Sequence, residues 1–141
     1  MNRMFLLTSV LALGVIVSSN VVMAEDKDDE KPTIKGIMKV AHAGDKSLKK
    51  KAEKGVAAKD WDNVETAAKE WVKQAEALAK AKPTKGTAAS WKKLTTSYTK
   101  NVKALAAAAD KKDTDGAKAA LKSLGTSCGG CHGVHKPKED E

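Results

Sequence analysis

Apolar residues recur along most of this chain at three- and four-residue intervals, and no stretch alternates residue by residue. The pattern therefore predicts helices and no strands. The first begins near Thr33, where Ile34, Ile37, Met38 and Ala41 make one stripe and His42 extends the row Ile34–Met38–His42. Pro32 suits its first turn. Gly44-Asp45 ends or kinks it, and Ser47 caps a short continuation, Leu48 to Lys54, before Gly55. Asp60 caps a second helix, whose residues Trp61, Val64, Ala68, Trp71, Ala75 and Leu78 keep the spacing of a bundle seam until Pro83 and Gly86. Thr87 opens a third, buried along Trp91, Leu94, Tyr98, Val102 and Leu105. Asp113 opens a fourth, whose seam Ala117, Leu121, Leu124 runs on into Cys128 and Cys131 before Lys136-Pro137 stops it. Four amphipathic helices with short connections predict an all-α domain over residues 33–136. An antiparallel up-down-up-down four-helix bundle is the simplest arrangement.

The ends of the chain fall outside this pattern. Arg3, the apolar run Phe5 to Val17 and Val22-Met23-Ala24 read as a secretory signal peptide over residues 1–24. The expected location is then periplasmic or otherwise exported. An uncleaved anchor is the alternative, since Met4 to Ala24 carries no charge; Ser18-Ser19-Asn20 argue against a span. Residues 25–32 are charged and read as a disordered lead-in, and residues 137–141 as a frayed tail. No other segment is apolar enough to cross a membrane.

Charge adds one question. The only arginine is Arg3, and beyond the signal 25 lysines face 18 acidic residues. The lysines interleave with acids along the helices and form no single block, so nucleic acid is not the expected partner. Two readings remain: a solvated face, or docking to an acidic protein partner. A homodimer stays open as well.

The chemistry lies in Cys128-Gly129-Gly130-Cys131-His132. C-x-x-C-H is the attachment sequence of a c-type haem. Two thiols three residues apart can each form a thioether to a haem vinyl group, and the next residue offers an imidazole to the iron. No other cysteine exists to build a disulfide framework. A redox dithiol would want a strand–turn–helix setting, which is missing. A zinc site would have to gather Cys128, Cys131, His132 and His135 from one short segment, where fingers converge two elements on the metal. His135, one turn beyond His132, is expected at the haem edge or in solvent. Trp61, Trp71, Trp91 and Tyr98 sit at seam spacing and are assigned to core packing. No Ser-His-Asp set, carboxylate pair or phosphate loop supports an enzyme.

A single C-x-x-C-H on the last helix of a four-helix bundle resembles the class II cytochromes c, the cytochrome c′ group. Terminal CGGCH, Lys136 four residues after His132, and IMKVAH on the first helix carry the resemblance. It implies that the first helix covers the haem face opposite His132 and that Lys136 lies near a propionate. In low-spin members a methionine on that helix ligates iron; in cytochrome c′ proper an apolar residue blocks the site. The implied function is single-electron transfer through one covalent haem c, with redox proteins as partners. The alternative is a five-coordinate protein that binds nitric oxide or carbon monoxide. Candidates for the sixth ligand are Met38, His42 or none. Met38 is preferred because Ile34 and Ile37 flank it, while His42 lies at a helix end beside Ala43-Gly44-Asp45. Thioether ligation also raises the potential, which suits a carrier.

Overall fold

The computed structural model describes residues 32–137. The expected signal peptide, nearly all of the lead-in and residues 138–141 lie outside the described residues. Within them the chain is all helical, in five elements: α1 (Ile34–His42), α2 (Leu48–Ala58), α3 (Trp61–Lys80), α4 (Ala88–Asp110) and α5 (Thr114–His135).

Each helix starts at a side-chain oxygen that accepts an otherwise orphaned backbone N–H. Ser47 Oγ accepts from Lys50 at 3.4 Å, Asp60 Oδ1 from Asn63 at 3.2 Å, Thr87 Oγ1 from Ser90 at 3.2 Å and Asp113 Oδ1 from Gly116 at 3.0 Å. Thr33 does the same for α1, so Pro32 precedes the cap and does not enter the first turn.

Two expectations need correction. Gly44, at a left-handed φ of 73°, ends the first helix and Ser47 caps the next as read, but the two are separate elements, so the described helices number five and not four. Gly55 does not end α2 but lies inside it, buried where α2 meets α3. A Cβ at Gly55 would stand 2.6 Å from Val64 Cγ2, so the glycine serves close helix approach. The stop comes later, at Lys59 in the left-handed conformation.

α3 packs on α4, α4 on α5, and α2 on α3, with smaller contacts from α1 to α2 and α3. Their shared core holds Ile37, Val64, Trp71, Val102, Leu105 and Leu124, each essentially inaccessible to solvent. The seams read from sequence supply nearly all of it. No described helix is long and apolar enough to cross a membrane.

Candidate functional site

α1 rests on α2 and α3, and among the described residues its backbone does not approach α4 or α5. A cavity of about 1310 Å³ lies there, walled by α1, the end of α3, the first half of α4 and the last turns of α5. Ile34, Met38, Leu78, Trp91 and Leu94 give it apolar sides. All five site residues read from the sequence line this one space: Cys128, Cys131 and His132 from α5, Met38 and His42 from α1.

The α5 residues share a flank because i, i+3 and i+4 positions are neighbours on a helix. Both cysteines are free thiols and half-buried. Cys128 donates its S–H to the Leu124 carbonyl at 3.4 Å. Burial, and then the neighbouring Cys128, push the Cys131 thiol above its ordinary pKa. That is the reverse of a reactive dithiol, whose thiolate is stabilised.

His42 is tied down more than its place at a helix end suggests. Its Nε2 lies 2.8 Å from Tyr98 Oη, and its ring meets Trp71 edge-on at 5.4 Å. Trp71 Nε1–H donates to the same phenol oxygen at 2.5 Å. Trp71 can only donate, so the Tyr98 hydroxyl proton is free to point at His42 Nε2 when that ring is neutral. Burial, then the charges of Lys49 and His132, lower the His42 pKa and favour that neutral ring. Burial also raises the Tyr98 phenol well above its ordinary value.

His135 lines the same cavity but is not in solvent: it is only 6% exposed. Its Nδ1–H donates to the Lys85 carbonyl at 2.6 Å, Nε2 pairs with Ser90 Oγ at 2.9 Å, and the ring meets Trp91 edge-on at 5.1 Å. With both nitrogens engaged, His135 fastens the end of α5 to the α3–α4 connection. It is not available to complete a zinc site with Cys128, Cys131 and His132. Among the described residues no group of three or more His, Cys, Asp or Glu is arranged to hold a metal ion. Gly86, at φ 81°, makes room for the His135 ring, which a Cβ there would approach to 2.6 Å.

The sequence did not disclose the Trp71–Tyr98–His42 chain. Each member fits an ordinary seam, and His42 and Tyr98 are 56 positions apart, so no local spacing announces the bond. The same holds for His135 with Ser90 and Lys85.

The donor set fits a covalently attached haem. Two unpaired thiols and an imidazole stand together on one wall of an apolar cavity, with a thioether on another. Trp91 of α4 also lines the cavity, and among the described residues its buried indole N–H has no hydrogen-bond partner, an orphan that is costly to leave unpaired. Comparison with protein-family models, with curated proteins and with solved structures finds no match.

Proposed function

We propose that the chain is an exported monohaem c-type cytochrome that carries single electrons. Its helices would form the antiparallel four-helix bundle of the class II cytochromes, with the haem on α5. One observation carries the reading: both motif thiols and His132 line the same apolar cavity as Met38. Bound covalently, the haem iron would supply the reversible one-electron chemistry.

The protein's own residues have distinct tasks. Cys128 and Cys131 would anchor the group, and burial favours the protonated thiol at Cys131. His132 would offer an imidazole nitrogen to the iron. α1 brings Met38 to the cavity from another side, where Ile34 and Ile37 keep water from the thioether. His42 is the weaker candidate for the sixth position, because its Nε2 is already engaged by Tyr98. That bond ties α1 to α4 and so helps hold Met38 in place. Among the described residues the cavity wall holds no acid–base pair with an arginine, so peroxidase chemistry has no support there.

The test is the visible spectrum of the purified coloured protein in both oxidation states, with and without carbon monoxide. Low-spin spectra and no carbon monoxide binding are expected. Met38→Ala should convert them to high spin and admit carbon monoxide. A wild type that is already high-spin and binds carbon monoxide readily would replace the carrier by a gas-binding protein. If His42→Ala alone changes the spin state, the axial pair is two histidines.

A further inference from the structure

The interleaving of lysines with acids expected along the helices holds for α2 and α3 but not for α1, α4 or most of α5, where charge is segregated. Residues 32–44, 77–109 and 116–137 contain twelve lysines and no aspartate or glutamate. These stretches supply α1, the α3–α4 connection, nearly all of α4 and most of α5, which are the walls of the cavity. All ten carboxylates among the described residues fall in residues 45–76 and 110–115. Asp60 and Asp113 cap α3 and α5 at their starts, and Asp110 stands near enough to Lys69 of α3 to raise its pKa, after the larger effect of Glu65. Asp60, Asp110 and Asp113 thus lie at the helix ends away from the α5 terminus that carries the motif, whereas Asp45 follows the lining residue Ala43 by two positions and Glu53 pairs with the lining residue Lys49.

Lys35, Lys39, Lys49, Lys82 and Lys136 line the cavity itself, with no carboxylate among the lining residues. Among the described residues only Lys49 of these has an ion-pair partner, Glu53 at 3.8 Å. A row of unneutralised lysines around an apolar opening repels cations and draws in anions over roughly a Debye length, about 8–10 Å at physiological salt.

We propose that this lysine rim is the docking surface for an acidic protein that exchanges electrons through the cavity mouth; the inference rests on the haem reading for its purpose. Opposite charge across such a contact mainly accelerates encounter and fixes orientation. A protein is favoured over a nucleic acid for two reasons. The rim has no arginine, the residue best suited to bidentate phosphate contacts. Its aromatic residues Trp91 and Tyr98 are buried and cannot stack on bases. A haem's own two carboxylates would satisfy only part of the rim.

The experiment uses the full purified chain and has two arms. In the first, a twenty-residue poly-L-glutamate probe is titrated at low salt and binding is mapped by amide shifts. Perturbation should centre on Lys35, Lys82 and Lys136 and spare residues 110–115. The swap Lys35→Glu, Lys82→Glu, Lys136→Glu should weaken binding at least tenfold. The charge-matched swap Lys51→Glu, Lys54→Glu, Lys111→Glu should change it less than threefold. Equal loss in both variants would overturn the surface. So would tighter binding of an oligodeoxythymidylate of equal charge. Probe binding that appears only after residues 25–31 and 138–141 are deleted would assign the rim to the chain's own acidic segments and overturn the partner. Salt-sensitive self-association without the probe would assign it to a second copy, with the same consequence.

The second arm follows oxidation by ferricyanide and by a cationic cobalt complex. The ferricyanide rate should fall with ionic strength and fall further in the rim swap, while the cobalt rate should rise in both cases. A coloured protein whose rates ignore the swap would refute docking and leave the carrier reading standing. A colourless protein that still binds poly-glutamate at the rim would refute the carrier and leave the surface standing.

Discussion

The two halves of α5 obey different rules. From Thr114 to Leu124 the helix is held by packing: Ala117, Ala120 and Leu124 are buried in the shared core. From Gly125 to His135 only His135 is buried, and four glycines interrupt the helix. Those glycines are not there to admit a neighbour. A Cβ at Gly125, Gly129 or Gly133 would meet nothing within 4 Å, and at Gly130 only Leu94 Cδ2 at 3.8 Å. Each interior glycine costs about 1 kcal/mol relative to alanine. The second half is therefore an expensive helix with little protein beneath it, pinned at its end by His135. A group attached at Cys128 and Cys131 would supply the missing contacts and couple its own binding to the order of that half.

The strongest way to break this contrast is a truncation in the packed half. Leu124→Ala should cost about 2–5 kcal/mol in thermal or urea melts, with or without haem. A loss below 1 kcal/mol would mean that the first half is no better packed than the second. Gly55→Ala comes next, as the glycine whose space is filled. Its Cβ would press on Val64, and overpacking of this kind costs about 1–3 kcal/mol in the same melts. The open glycines should answer in the opposite sense. Gly125→Ala should stabilise the haem-free protein by about 0.5–1 kcal/mol; a destabilisation would show that something in the folded protein needs that glycine.

The pattern of apolar positions carried most of the fold because the bundle's seams are regular. Four of the five N-caps, the buried faces of α3 and α4 and the start of α5 follow from local spacing and cap chemistry. Gly55 misled because a glycine near a helix end usually stops the helix, and only the tertiary approach of Val64 shows the other use. The motif at Cys128, Cys131 and His132 was legible because its spacing is itself chemistry. His135 was not, since its partners come from residues 85 and 90. Met38 and His42 were legible as candidates, with Met38 preferred for its apolar flanks, but the hydrogen bond that separates them was not. The bond from Tyr98 distinguishes them, and it exists only once α1 and α4 are folded.

The smallest effect concerns that bond. Burial chiefly lowers the His42 pKa in the folded protein, so the folded state resists protonation more than the unfolded chain does. The stabilising contribution is full above the ordinary histidine value of about 6.5 and is lost as pH falls through the lowered value. Haem-free protein should therefore melt earlier as pH drops below about 6.5, and His42→Gln should flatten that part of the profile. An unchanged profile would place the acid sensitivity elsewhere.

Covalent attachment at Cys128 and Cys131 can be read from acid–acetone precipitation of the purified coloured protein. Free or axially bound haem passes into the acetone, whereas thioether-bound haem cannot leave the polypeptide. All the colour should stay in the protein pellet of the wild type, and Cys128→Ala with Cys131→Ala should abolish it. Colour that extracts fully from the wild type, or a pellet equally coloured in the double variant, would contradict it.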